Sequence, residues 1–309
     1  KDDISENPHD YDPVTLEPKK PKSLLKKISY FVFNKGDAPL EGQKDDRINI
    51  LLLGMGGLGH DGPFLTDTII IASIKPSTNQ VALISIPRDL GVSITGYGIR
   101  KINHANSFGE TEKSGWGAAF ATEVMEKTFD TKIPYYIRLD FKAFEDIIDD
   151  LGGVKVNVAR SFTDPLYPAF NDGYQTVSFK AGEQTMDGKA ALKFARSRHG
   201  NNGEGSDFAR AHRQQVILLA LKQKLLSFST LANPVRINNV INSLERHLTT
   251  NLEFSEIVSF VKLARELDNA EIKTLVLDNS VGGYLRNAFS SDGAFILQPS
   301  SGNFATIKT

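Results

Sequence analysis

The chain contains no cysteine. Disulfide staples, thiolate nucleophiles and cysteine-ligated zinc are therefore excluded, and the composition is compatible with an oxidising compartment without requiring one. Net charge is almost absent too: 36 Lys+Arg against 37 Asp+Glu leave −1 at pH 7. A general nucleic-acid binder carries a strong basic excess, so nucleic acid is not an expected partner. Long apolar runs are also missing. The longest, such as Ile50–Leu53 and Thr68–Ala72, fall far short of the ~20 residues that cross a bilayer. No signal-peptide pattern is visible and the first residue is Lys1, so the sequence reads as a processed or truncated form. What remains is ordinary globular material: 309 residues, 40% apolar and 24% charged, enough for one large domain or two small ones with a sizeable core.

Residues 1–45 combine proline and charge with no sustained period, and read as a flexible juxtamembrane or linker tail. Within them Lys19, Lys20, Lys22, Lys26 and Lys27 precede Tyr30-Phe31-Val32-Phe33, a basic-apolar pattern suited to an anionic membrane surface. From residue 46 onward the pattern is α/β. Ile48–Leu53, Thr68–Ile74, Val81–Ile86, Tyr135–Leu139, Val154–Val158 and Ile272–Leu277 read as strands, being short, apolar and β-branched. Trp116–Phe129, Phe141–Leu151, Glu183–Phe194, Phe208–Leu226, Arg236–Leu248 and Ser255–Leu267 read as helices. Lys75 to Gln80 is a turn-rich connector that makes the second and third strands a hairpin. Alternating helices and strands predict a central sheet covered by helices on both faces.

Gly54-Met55-Gly56-Gly57-Leu58-Gly59 matches G-x-G-x-x-G after a strand. That motif holds a dinucleotide only when a helix follows, because the helix N-terminus binds the pyrophosphate. His60, Asp61, Gly62 and Pro63 follow instead, and the next strand begins near Asp67. The loop reads as flexible backbone at the edge of a site.

The most informative stretch is Ala195 to Gln215, with Arg196, Arg198, Arg210 and Arg213. Arg196 and Arg198 are two apart, sharing a face if extended. A Gly-rich loop follows. Ser206 is then placed to cap a helix on which Asp207, Arg210 and Gln214 share one face. Converging guanidinia repel unless an anion lies between them, and the planar fork suits phosphate. Taken alone, the same segment also reads as a solvated helix face with ordinary ion pairs to Asp207 and Glu204. Two other segments favour the site. Ser85-Ile86-Pro87-Arg88-Asp89 ends one hairpin strand and Leu65-Thr66-Asp67-Thr68 opens the other, so Asp67 and Arg88 should be neighbours at a strand end, where α/β proteins place ligands. An acid beside clustered arginines suits a metal-bridged diphosphate. His104, His199 and His212 read as surface residues.

These motifs resemble the LytR-CpsA-Psr family of bacterial cell-envelope glycopolymer transferases. The resemblance runs from about Arg47 to the C-terminus. It is carried by Ile50-Leu51-Leu52-Leu53-Gly54, Thr66-Asp67-Thr68, Ile86-Pro87-Arg88-Asp89, Lys101-Ile102-Asn103, Leu151-Gly152-Gly153-Val154, Leu192 to Arg198, and Asp207-Phe208-Ala209-Arg210-Ala211-His212-Arg213-Gln214-Gln215.

The resemblance implies an α-β-α sandwich around a central mixed sheet, with an apolar pocket for a prenyl chain. Residues 46–309 would be the catalytic domain, anchored at the cell membrane by an N-terminal segment absent from this sequence and facing the extracytoplasmic side. Such proteins move a glycopolymer from a polyprenyl diphosphate carrier to peptidoglycan. It further implies Mg²⁺ (or Mn²⁺) on Asp67, diphosphate binding by Arg88, Arg196, Arg198, Arg210 and Gln214, and Asp207 as an acid beside them. Of the acids near Arg88, Asp89 or Asp207 would serve as general base. Two positions depart from the family pattern: Gly56 stands where a second acid is usual, with Asp61 the substitute the loop offers, and Leu65 replaces an Arg. Water as acceptor would make the same site a diphosphatase, and loss of turnover would leave a lipid-diphosphate binding protein. The pocket lining is expected from Phe120, Val124, Ile137, Phe141, Phe144, Ile147, Phe194, Val216 and Leu219.

Overall fold

The structure, a computed structural model, describes residues 38–169, 173–227, 248–267 and 270–307. Its centre is the hydrophobic strand β1 (Ile48–Met55), which pairs antiparallel with β2 (Thr66–Lys75). A single 3₁₀ turn at Pro76–Thr78, with Asn79 left-handed at φ 53°, returns the chain into β3 (Gln80–Ser85), the expected hairpin. A two-stranded ribbon follows, β4 (Gly91–Ile94) and β5 (Gly98–Lys101), then helices α1 (His104–Glu112) and α2 (Gly117–Phe129). The chain continues through β6 (Tyr135–Asp140), α3 (Phe141–Asp150), β7 (Val154–Val158), β8 (Phe162–Pro168), β9 (Tyr174–Phe179) and β10 (Gly182–Met186). It proceeds through α4 (Gly188–Arg196), α5 (Asp207–Leu226), β11 (Leu248–Thr250), α6 (Phe254–Glu266), β12 (Glu271–Val276), β13 (Leu285–Phe289) and β14 (Phe295–Pro299).

The main sheet has the order β11-β6-β1-β2-β3-β12 and is mixed. β6 runs parallel to β1 and β12 parallel to β3, while the other pairs are antiparallel. Strand residues alternate between its faces. Leu51, Leu53, Ile69 and Ile71 pack with Phe120, Val124 and Met125 of α2. Leu52, Ile70, Ala72 and Leu83 pack with Leu218 and Leu219 of α5. Burial on both sides explains why these strands read as continuous apolar runs. A separate cluster joins β7–β10 to α4 and α5 through Val156, Phe162, Phe179, Phe194 and Ile217. The mixed sheet between helices is as expected.

Several details differ from the expectation. Glu183–Phe194 is not one helix: its first part is β10, paired with β7, and α4 begins only at Gly188. Asp187 marks the break, its carboxylate accepting from the Ala190 backbone N–H at 2.7 Å. Most of Arg236–Leu248 lies outside the described residues, and Leu248 itself opens β11. Residues 1–37 also lie outside them, with the Lys19–Phe33 segment. The chain is already packed at Leu40, 5% exposed against Leu263 and Leu267 of the α6 region. The glycine loop passes through turns directly into β2, closed by the Gly57 N–H to Pro63 carbonyl bond at 3.0 Å, so no dinucleotide-type helix follows it.

Candidate active site

The site forms where the β2–β3 hairpin meets the N-terminus of α5. The Ile86 N–H donates to the Ile69 carbonyl at 2.8 Å, carrying the pairing one step past β3. Pro87, which lacks an N–H, ends it. Arg88 therefore lands opposite Asp67 and donates from Nη1 to Oδ1 at 2.8 Å, as strand geometry predicted. On the other side, Ser206 caps α5 by accepting from the Ala209 N–H at 3.0 Å. That fixes Asp207 in the first turn, favourable for an acid.

Asp207 is the hub. Arg198 grips it bidentately, Nε to Oδ1 at 2.7 Å and Nη2 to Oδ2 at 3.2 Å. Arg210 Nη1 lies 3.3 Å from Oδ1, and Arg88 Nε 3.9 Å from Oδ2. Arg210 also reaches the Asp67 carbonyl at 3.4 Å. Asp89 sits 3.7 Å from Arg88 Nε and pairs with Lys101 Nζ at 2.5 Å. Three guanidinia and one ammonium thus face three carboxylates, leaving one positive charge in excess. The Nε donors of Arg88 and Arg210 are both buried without a hydrogen-bond partner. An unmet buried donor costs about 1–3 kcal/mol, more when charged, so the site is short of an anion.

The titration behaviour agrees. Burial pulls the Arg210 guanidinium down to about 10, against the opposing pull of Asp207 and Asp67. Burial alone would raise the Asp207 carboxyl, but Arg210, Arg198 and Arg88 outweigh it and hold the group below the usual carboxylate range. Arg88 is raised, its burial overcome by Asp67, Asp207 and Asp89. A carboxylate with a depressed folded-state pKa stabilises the fold above its unfolded value of about 3.9, and that contribution disappears as pH falls through the lower folded value. Asp207→Asn should therefore be less stable than the parent near neutrality. The gap should close in urea titrations taken below about pH 4, and a gap independent of pH would contradict the pairing.

A cavity of about 230 Å³ opens beside these groups. Asp67, Arg88, Asp89, Asp207, Arg210 and Gln214 line its polar side; Ile69, Ile86, Phe208, Val276, Phe295 and Leu297 line the rest. This is below the roughly 300–1,000 Å³ of typical small-molecule sites, room for a head group and the start of an apolar chain. None of the nine residues expected to line the pocket does so. Phe120 and Val124 belong to the core under the sheet, Phe144, Phe194 and Val216 to the second cluster, Ile147 and Leu219 to others. The apolar wall comes instead from Ile69, Ile86 and Phe208 together with Val276 of β12 and Phe295 and Leu297 of β14. The Leu297 N–H bonds to the Asp89 carbonyl at 2.8 Å and locks that wall to the arginine strand.

Other candidates fall elsewhere. Arg196 is the last residue of α4, so it does not share an extended face with Arg198. Its guanidinium lies 4.0 Å from the Phe141 ring centroid and bonds the Tyr167 hydroxyl at 3.3 Å, and it does not line the cavity. Arg213 is buried scaffolding that donates to the carbonyls of Phe194 and Ser197 and to Glu204. Gln214 lines the cavity and reaches the Ala195 carbonyl at 3.4 Å. His199 and His212 are exposed. His104 is half-buried, and burial with Lys101 and Arg100 nearby pushes its pKa down. Lys101 is the residue sequence reasoning gave no role. Its signal was its place in the Lys101-Ile102-Asn103 motif, one strand from Asp89.

Among the described residues no three His, Asp or Glu side chains gather as a metal cage. Mg²⁺ needs no such cage: it is commonly held by one or two carboxylates plus phosphate oxygens and water. Asp67 fits that demand. Only Oδ1 is engaged by Arg88, and the side chain is 40% exposed. Asp61 is exposed in the glycine loop.

Known proteins share both sequence and architecture. The polyisoprenyl-teichoic acid–peptidoglycan teichoic acid transferase TagU of Oceanobacillus iheyensis is 35% identical over 219 residues, 70% of this chain and 62% of that protein. Its Bacillus subtilis counterpart is 30% identical over 224 residues, 72% of this chain and 66% of that protein. The chain thus spans somewhat less than two thirds of these relatives' length. The crystal structure of B. subtilis TagV superposes with a TM-score of 0.63 at 26% identity, covering 85% of this chain and 94% of that one. TagT bound to LI-WTA shares the fold, with a TM-score of 0.63 over 88% of this chain and 91% of that one at 21% identity. The LytR_cpsA_psr family model matches residues 15–308; with Asp67, Arg88, Arg198, Asp207 and Arg210 gathered at one strand end, the chain belongs to the LytR_cpsA_psr family.

Proposed function

We propose that this chain is a phosphotransferase that moves a glycopolymer from a polyprenyl diphosphate carrier to peptidoglycan. It would work on the extracytoplasmic face of the cell membrane, held there by a segment outside this sequence. The observation that carries the reading is the pair of buried, unpartnered Nε donors of Arg88 and Arg210 beside an apolar wall. A diphosphate supplies the missing acceptors, and an apolar tail satisfies Phe208, Phe295 and Leu297. The related TagU proteins, polyisoprenyl-teichoic acid–peptidoglycan teichoic acid transferases, point the same way.

In this reading Arg88, Arg198 and Arg210 hold the diphosphate oxygens, with Gln214 beside them. A sugar hydroxyl of the acceptor attacks the glycan-side phosphorus, a phosphodiester forms, the bridging P–O bond breaks, and polyprenyl phosphate leaves. The protein's main contribution is preorganised positive charge aimed at the departing phosphate. Asp207, held below its usual range by three arginines, is a poor base and serves to position Arg198 and Arg210. Asp89 is the acid left to accept the hydroxyl proton, with Lys101 and Arg88 beside it. Asp67 would hold Mg²⁺ (or Mn²⁺), with Asp61 offered as a second ligand from the loop. The ion, when bound, neutralises phosphate charge.

Titrating Mg²⁺ against transfer tests the metal side. Asp67→Asn should remove the metal response while leaving the thermal transition in place, because an amide oxygen is a poorer ligand than a carboxylate. Asp61→Ala should raise the Mg²⁺ concentration for half-maximal activity. A parental metal response in Asp67→Asn would make Asp67 only the partner of Arg88. Carrier cleavage with no glycan joined to peptidoglycan would make water the acceptor and the chain a diphosphatase.

A further inference from the structure

A second concavity, of about 480 Å³, lies at the far end of the β4–β5 ribbon. Lys101, at the base of that ribbon, touches Asp89 in the arginine site. Tyr97, at its tip, lines the second groove together with Trp116, Phe120, Glu112, Glu123 and Lys127. Lys101 is four residue steps from Tyr97, so at about 3.3 Å per step the two sites are on the order of 13 Å apart along the ribbon.

The groove is built of fixed rings and loose charges. Tyr97 stacks flat on Phe108, centroids 3.8 Å apart and planes 3° off parallel, and its hydroxyl donates to Glu112 Oε1 at 2.7 Å. Trp116 leans on buried Phe120 at 5.0 Å. These contacts hold the two amphipathic rings in place before any ligand arrives. Glu123 and Lys127, one turn apart on α2, are exposed and make no ion pair with each other. Flat apolar ring faces beside carboxylates and an ammonium match the two-sided character of a pyranose, whose C–H face packs on an aromatic ring while its hydroxyls bond at the edge. A purely apolar ligand would leave Glu123 and Lys127 unmet, and two carboxylates repel a polyanion.

We infer that this groove binds a pyranose glycan, stacked on Trp116 and hydrogen-bonded by Glu112, Glu123 and Lys127. Its distance from Asp89 is a few sugar rings, so a short glycan chain is long enough to reach from one site to the other. That purpose rests on the proposed transfer to peptidoglycan; the binding itself does not.

Trp116 is the only tryptophan in the chain, so its emission reports on this groove alone. The intact chain is titrated with a soluble N-acetylglucosamine tetrasaccharide while the tryptophan emission is followed. A saturable change is expected, with the midpoint moved about tenfold higher in Glu123→Gln and in Lys127→Met, the size of one charged hydrogen bond. Both positions are exposed on the helix surface, so both variants should fold. Arg88→Ala should leave the midpoint where it was. A flat titration, or a midpoint unmoved by both groove substitutions, overturns the inference. So does an equal response to a short stem peptide with no sugar, which would give the groove to a peptide. Glycan binding in a chain that transfers nothing would keep the groove and remove the transferase reading.

Discussion

Arg88→Ala should abolish transfer and weaken binding of a polyprenyl diphosphate by at least ~1.5–3 kcal/mol, roughly ten- to 150-fold. Arg88 is the one cation touching all three acids of the site: Asp67 at 2.8 Å, Asp89 at 3.7 Å and Asp207 at 3.9 Å. Its buried Nε has no acceptor until an anion arrives. Without it the cluster loses its charge excess, and Asp67 would turn a bare carboxylate toward an anionic ligand, while Asp207 keeps Arg198 and Arg210. Binding is measured by calorimetry with a short-chain prenyl diphosphate, beside a transfer assay. Arg88→Lys should recover part of the affinity but little of the rate, because an ammonium restores the charge without the two-pronged geometry. The fold should survive, since Asp67 is 40% exposed and can be rehydrated. Unchanged affinity in Arg88→Ala would remove Arg88, and with it the strand-end site, from the reaction.

The largest loss of stability is expected from Arg213→Met, about 3–5 kcal/mol, or a fall in Tm on the order of 10 °C. The Arg213 side chain is only 3% exposed. Its Nε donates to the Phe194 carbonyl at 2.9 Å and its Nη1 to Glu204 Oε2 at 2.5 Å, while Nη2 serves the Ser197 carbonyl. Its guanidinium lies 4.9 Å from the Phe162 ring centroid. Methionine fills much of the volume but takes the donor from the half-buried Glu204 carboxylate and from two carbonyls. Arg213→Lys should not rescue it, since one ammonium cannot span three acceptors on both sides of a loop. Calorimetric melting decides the matter, and a Tm within a degree or two of the parent would mean the network carries little. Because the tied segment leads from Arg198 to Asp207, diphosphate affinity should fall along with stability.

The strands and the site's centre were legible in the sequence because both are local. Two apolar runs and a turn-rich connector specify the hairpin, and strand geometry then brings Asp67 to Arg88. Helix periodicity put Asp207, Arg210 and Gln214 together. Arg196 was misplaced because two-residue spacing carries meaning only in extended chain, and α4 runs through Arg196. The four arginines also look alike in sequence. What separates Arg213, the tie, from Arg210, the cavity-facing group, is three residues, a turn of about 60° around one helix, set by tertiary packing. Glu183 to Met186 favours neither state strongly, and pairing with β7 decided it. The cavity wall was out of reach altogether. No local pattern announces that Leu297 will bond to Asp89, and apolar residues of core and pocket carry the same signature.

That contact between Asp89 and Leu297 sets an order of assembly. The two residues are 208 positions apart (297 − 89), and closing a loop of that length costs roughly 5 kcal/mol of chain entropy before any contact compensates. During synthesis Arg88, Arg198 and Arg210 are all made well before the strand that walls them in. Until β12 and β14 dock, the guanidinia stand in water, where an ion pair at 4 Å is worth only about 1 kcal/mol. On the proposed function, a nascent chain therefore holds every charged group of its site yet has negligible grip on a diphosphate. Affinity appears late and abruptly, with the arrival of two hydrophobic strands that carry no charge into the cavity.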